Sequence, residues 1–160
     1  ELEAMRMNKK VVSNVKITAG EEVKLNALGN ELMELEITVQ PNESDQFGVK
    51  VCASEDGREE TVIYYDRKDK KLKVDTRKSG LEFGKKIIEE APFELKKGEP
   101  LVLRVYVDKS IVEVYANNRQ AIARRIYPTL GGKGISVFSN GGNVEIKTIK
   151  GWEIMPSNPY

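Results

Sequence analysis

The sequence holds 25 Asp and Glu side chains and no histidine, and this combination already narrows the chemistry open to it. Without an imidazole, a serine or cysteine nucleophile has no histidine base to activate it. Zinc and non-haem iron sites lose their commonest ligand in the same way, so neither a metal nor a cofactor is expected. Two suitably spaced carboxyl groups can run glycoside hydrolysis, but 25 candidates scattered over strand-like segments nominate no pair. Cys52 is the only cysteine, so no internal disulfide forms. Set among Val49, Val51 and Ala53, it reads as a buried, inert thiol. The basic segment 67–73 is interrupted by Asp69 and flanked by Asp66 and Asp75, the mixed charge of a soluble turn. Asn140-Gly141-Gly142-Asn143 is glycine-rich, yet it lies between strand-like runs and lacks the helix N-terminus that a phosphate-cradling loop needs.

The elements that must position any such group are strands. In 101–128, Leu101, Leu103, Val105 and Val107 alternate with Val102, Arg104 and Tyr106, the period of two that aims one face at a core. Asp108-Lys109-Ser110 turns the chain; Val112, Val114 and Ala116 resume the alternation; Asn117-Asn118 turns it again, because Asn tolerates positive φ. A third strand, 120–127, stops at Pro128, which cannot extend a ladder through its own nitrogen. This meander predicts Val105, Val107, Val112 and Val114 in the core.

Further strands are predicted at 14–18, 22–28, 31–40, 47–51, 60–65, 71–75, 134–139 and 143–154, with an irregular loop over 77–92. Trp152 is expected in the core. Roughly ten or eleven strands with no clear helix in a chain of 160 residues predict a single all-β domain, a two-sheet antiparallel β-sandwich of concanavalin-like jelly-roll type. With 26 Lys and Arg against 25 Asp and Glu, the net charge of +1 offers no electrostatic argument for nucleic acid or an anionic membrane.

Val107-Asp108-Lys109-Ser110-Ile111-Val112-Glu113-Val114-Tyr115-Ala116-Asn117 resembles the signature of the C-terminal β-sandwich in glycoside hydrolase family 32, the β-fructosidases that include invertases, inulinases and levanases. Further stretches match in the same order: Ile63-Tyr64-Tyr65-Asp66, then Leu72 through Gly80, Arg125-Ile126-Tyr127-Pro128, Gly134 through Phe138, and Val144 through Trp152. Glu1-Leu2-Glu3-Ala4-Met5-Arg6 resembles the linker that leaves the catalytic domain. The resemblance implies a linker over 1–10, a sandwich over 11–155 and a tail over 156–160. It also implies a partner, the N-terminal five-bladed propeller that carries the family's catalytic carboxylates.

The family's catalytic motifs are absent from this sequence: no Asp precedes any of the 6 prolines, and Cys52 follows Val51 rather than Glu. The chain alone is therefore expected to be inactive. Two roles follow, a structural module packed on the propeller and a fructan- or fructose-binding module, since the related carbohydrate-binding module family 66 recognises terminal fructose. A third is a catalytic sandwich working through some other carboxylate pair. For sugar binding, adjacent hydroxyls suit carboxylate and guanidinium contacts, and the candidates are Asp75, Arg77, Asp108 and Glu113. Against that, Asp108 can simply shape its turn and Glu113 can pair with a cation across the strand. The structural role predicts an outward apolar patch around Ile111, Tyr115 and Tyr106, with weak self-association of the isolated domain.

Overall fold

A computed structural model describes residues 2–155; Glu1 and the expected tail at 156–160 lie outside the described residues. A 3-10 turn, Leu2–Met5, leads into twelve strands. In chain order they are β1 (Arg6–Ile17), β2 (Glu22–Lys24), β3 (Leu32–Gln40), β4 (Gln46–Ala53), β5 (Thr61–Asp66), β6 (Lys71–Asp75), β7 (Ile88–Pro92), β8 (Leu101–Asp108), β9 (Ile111–Ala116), β10 (Gln120–Arg125), β11 (Gly134–Asn140) and β12 (Val144–Ile154). They form two six-stranded sheets, ordered β1-β12-β3-β8-β9-β10 and β2-β11-β4-β5-β6-β7, with every ladder antiparallel. The fold is the predicted two-sheet sandwich.

The core lies where the inward faces meet. Leu35, Ile37, Leu103, Val105 and Val114 from the first sheet and Val49, Ile63 and Leu72 from the second have essentially no exposure. Phe47, Tyr65 and Phe93 add an edge-to-face aromatic chain at 5.7 and 5.8 Å. The meander β8–β9–β10 sits inside the first sheet, and all four of its predicted core valines are buried. Its turns use positive φ at Lys109, Asn117 and Asn118, as the asparagines announced.

Several boundaries differ from the sequence reading. β1 starts at Arg6, so 6–10, read as linker, is built into the sheet. It is an edge strand, exposed on both faces over most of its length and interrupted at Asn8 and Asn14 (φ 49 and 58°), so no alternation betrayed it. β7 lies in the stretch read as irregular; Glu89, Glu90 and Pro92 suit an edge strand, where charge and a missing N–H are tolerated. The predicted strand over 22–28 splits into β2 and a 3-10 turn, Asn26–Leu28. β10 ends at Arg125, and Tyr127 instead makes a parallel bridge to Gly80. Trp152 is not in the core. It is half-buried on the outer face, opposite Glu34, because the alternation through Ile149 and Gly151 points it outward.

Both ends of the sandwich are made of loops. The β10–β11 and β2–β3 connections cross between sheets at one end, which also holds Leu2–Met5, the start of β1, and the loops between β4 and β5 and between β6 and β7. The opposite end carries the β1–β2, β3–β4, β5–β6, β7–β8, β9–β10 and β11–β12 connections.

Candidate functional site

The outer face of the second sheet is built from the polar phase of β2, β11, β4, β5 and β6. Register places Glu22, Phe138, Gly48, Tyr64 and Lys73 in one row and Lys24, Ser136, Lys50, Val62 and Asp75 in the next. Gly48 is there because a Cβ would sit 2.0 Å from the Ile63 carbonyl oxygen. The Phe138 and Tyr64 rings on either side lean across it to an edge-to-face contact at 6.4 Å. Between these rings and the β1–β2 loop lies an open cleft of about 250 Å3, lined by Glu21, Glu22, Gln46, Lys50, Tyr64, Asp75, Phe138 and Asn140 among others. That is slightly below the ~300–1,000 Å3 of drug-sized ligand sites.

Its charges are fixed by each other. Lys50 Nζ lies 2.7 Å from Glu22 Oε2 and 3.1 Å from Glu60 Oε2, and Ser136 Oγ donates to Glu22 Oε1 at 2.5 Å. Burial works against ionisation of Glu22 and Lys50, but these bonds outweigh it, holding the Glu22 carboxyl below its usual range and the Lys50 ammonium above its own. Burial pushes the Tyr64 hydroxyl up. At the rim, Arg77 clasps Asp75 through Nε to Oδ1 at 3.0 Å and Nη2 to Oδ2 at 2.7 Å. Partial burial of Asp75 is outweighed by that guanidinium, and its carboxyl sits low. Two predicted site residues are thus brought together here.

Asp108 and Glu113 are on the other sheet. Asp108 is exposed at the end of β8, opposite Leu32 and Ile111, and Glu113 faces Tyr106 and Ala123 across its ladders. Tyr115 Oη lies 3.5 Å from Glu113 Oε2; among the described residues Glu113 makes no ion pair. The four candidates do not converge on one site.

The first sheet's outer face has a different centre, absent from the sequence reading. Glu34 points away from the core yet is fully buried. Arg6 covers it and donates from Nε to Oε2 at 2.7 Å and from Nη2 to Oε1 at 2.6 Å; Tyr106 Oη donates to Oε1 at 3.1 Å, and Arg104 Nε stands 3.5 Å away. The Arg6 guanidinium lies 4.3 Å from the Trp152 ring centroid. The carboxylate bonds drive the Arg6 pKa well above its ordinary value. Tyr106, expected as exposed apolar surface, is half-buried by this cluster, while Ile111 and Tyr115 are exposed as expected. No local signal marked the pair, since Arg6 and Glu34 are 28 positions apart. Tyr64 and Phe138 were detectable in principle as aromatics in the polar phase of their strands.

Among the described residues, each carboxyl that departs clearly from its usual value departs downward. No group of three or more Cys, Asp or Glu side chains able to hold a metal occurs among the described residues, and no helix is long and apolar enough to cross a membrane.

The family described as "Glycosyl hydrolases family 32 C terminal" matches residues 1–153. A levanase of Bacillus subtilis (strain 168) is 32% identical over 159 residues, covering 93% of this chain and 23% of the levanase. A vacuolar acid beta-fructofuranosidase 4 of Arabidopsis thaliana is 35% identical over 106 residues, 59% of this chain and 16% of that protein. The crystal structure of fructan 1-exohydrolase IIa from Cichorium intybus superposes with a TM-score of 0.84 at 18% identity, covering 98% of this chain and 37% of that one. The chain spans well under half the length of each of these relatives.

Proposed function

We propose a structural role for this chain, which belongs to the glycosyl hydrolase family 32 C-terminal family: it is a non-catalytic β-sandwich module that packs on the propeller-shaped catalytic domain of a β-fructosidase and steadies it. The observation that carries this reading is the Arg6–Glu34 pair. Arg6 is the first residue of β1, and the sheet commits a fully buried carboxylate to holding it. That pairing fixes the direction in which the chain joins the sandwich, which matters when a second domain stands ahead of it. The absence of the family's catalytic motifs agrees with it.

The test compares a family-32 enzyme ending in this chain with the same enzyme cut before residue 1, and both with the isolated chain. The cut enzyme is expected to unfold at a lower temperature, and the isolated chain to release no fructose from sucrose, inulin or levan. Equal stability of cut and whole enzyme, or turnover by the isolated chain that one carboxylate substitution abolishes, would overturn the proposal.

The cleft favours a second reading, a fructan- or fructose-binding module with Asp75 and Arg77 at its rim. Aromatic faces beside carboxylate, amide and ammonium groups suit a sugar's apolar ring face and its hydroxyls. Asp108 and Glu113 have no part in that cleft. Calorimetric titration with a levan oligosaccharide decides: saturable binding lost in Asp75→Ala supports this reading, and no heat at millimolar sugar leaves the structural role alone.

A further inference from the structure

Exposed large hydrophobic side chains are distributed unevenly. Among the described residues the loops of the end opposite Arg6 carry none and only Tyr115 stands near a strand end there, whereas Leu81, Phe83, Ile111, Leu130 and Met155 lie on the loops and strand ends of the Arg6 end, with Met7 and Val11 along the edge strand β1. Phe83 is the extreme case, 74% exposed. It is held out by a built scaffold rather than by a slack loop. Gly80 (φ 101°) bridges to Tyr127, Leu81 N–H donates to the Tyr127 carbonyl at 3.1 Å, and a Cβ on Gly80 would sit 1.7 Å from that oxygen. Thr76 Oγ1 donates to the Lys85 and Ile87 carbonyls at 2.9 and 3.0 Å, closing the loop at its base. Phe83 then rests on the Tyr127 ring with centroids 4.7 Å apart. On the neighbouring loop, Glu59 accepts from the Thr129 and Leu130 backbone N–H groups at 2.9 and 3.0 Å, which fixes Leu130. An apolar cluster held out by a fixed loop rather than a slack one is the kind of surface that marks interaction sites.

We infer that this end, centred on Leu81, Phe83, Tyr127 and Leu130, is the surface on which the sandwich seats the catalytic domain that precedes it in family polypeptides. The inference rests on the structural role proposed above and names its contact surface. Three observations select this occupant. Whatever precedes residue 1 in such a polypeptide joins the sandwich at this end, because Leu2–Met5 and the start of β1 are here. The chain spans only 23% of the levanase it resembles, leaving most of such a protein's length outside it. In the presenting loop, 77–86, Arg77 and Lys78 pair with Asp75 and Glu60 of this chain, leaving Lys85 and Lys86 against Glu82, so the mating surface is apolar at its centre with carboxylate facing those two lysines.

The test uses a full-length family-32 polypeptide ending in this chain, beside the isolated chain. Leu81→Glu/Phe83→Glu alters side chains that already face water. The isolated chain is expected to keep its Tm within about 2 °C while the full-length protein loses about 4 °C or more. Lysine cross-links to the preceding domain are expected from Lys85, Lys109 and Lys133 and not from Lys68 or Lys97 at the far end. An equal fall in both proteins shows that Phe83 serves internal packing on Tyr127 and overturns the inference. Cross-links running instead from the far end or a sheet face overturn this surface while leaving the structural role intact. No inter-domain cross-links, with two independent unfolding transitions, overturn the structural role itself. Concentration-dependent association of the full-length polypeptide that Phe83→Glu abolishes makes a second copy the occupant, and overturns the inference as well.

Discussion

Replacing Arg6 by Ala removes both short bonds to Glu34 from a carboxylate with no exposure of its own. Hydrogen bonds to a charged group contribute about 1.5–3 kcal/mol each when lost, and the stacked guanidinium above Trp152 adds about 0.5–1 kcal/mol. Stripping one partner from a deeply buried ion pair can reach ~3–5 kcal/mol. That ceiling is not met here. Arg104 Nε remains 3.5 Å from the same carboxylate, and with Arg6 gone water reaches Glu34 from the open face of the sheet. The expected loss is therefore about 2–3 kcal/mol, below both the ~3–6 kcal/mol of two such bonds taken separately and the buried-pair figure. Urea unfolding of the isolated chain reads it directly: with m of roughly 1.5–2 kcal/mol/M and unchanged by the substitution, the midpoint falls by about 1–2 M. A double-mutant cycle with Glu34→Ala should give a coupling of at least about 1 kcal/mol, and added salt should remove little of it, because the pair is shielded. A loss below about 0.5 kcal/mol, typical of an exposed pair, would show that burial of Glu34 adds nothing and would refute the reasoning.

Burial pushes the Cys52 thiol up to about 12, so a thiol reagent at about pH 8 should label it only in denaturant; prompt labelling of the native chain would contradict this. Glu22, Glu36, Asp66 and Asp75 have folded-state pKa values held below the usual 4.5 and 3.8. As pH falls the unfolded chain takes up protons first, so their contribution is complete above about pH 5 and is lost on acidification below it. With no histidine in the chain, urea midpoints at about pH 6 and pH 8 should coincide; a difference between them would reveal another group whose pKa changes on folding in that range. Gly48→Ala forces a Cβ against the Ile63 carbonyl in a central ladder and should cost at least about 2–3 kcal/mol, read as a lowered midpoint or as insoluble protein.

The strands legible in the sequence were those with one wet face. β3, β8 and β9 alternate because one side meets the core and the other meets water, and their boundaries were read to within a residue or two. Edge strands broke that rule: β1 is wet on most of both faces and β7 runs Ile-Glu-Glu-Ala-Pro, so neither carries a period to find. The candidate site was half legible. Asp75 and Arg77 are two residues apart on one strand end, and local spacing sufficed to pair them. The register that puts Phe138 beside Tyr64, and Arg6 over Glu34, joins strands far apart in the chain and left no mark in either segment. Trp152 misled for a related reason. Its bulk suggested the core, while the phase of Ile149 and Gly151 had already assigned it to the outside.

The first and last strands are antiparallel neighbours that meet at the Arg6 end, where Arg6 opposes Ile154 and the Met155 N–H donates to the Met5 carbonyl at 2.9 Å. A pull applied to the start of β1 and the end of β12 would therefore open their ladder like a zipper, breaking its bonds one rung at a time instead of shearing them together. Such a geometry yields at low force, and the rung that opens first is the one beside the Arg6–Glu34 pair and the Trp152 ring. The mechanical strength of this module is then concentrated in one ion pair at its threshold, while the twelve-stranded body behind it goes unloaded until that pair gives way.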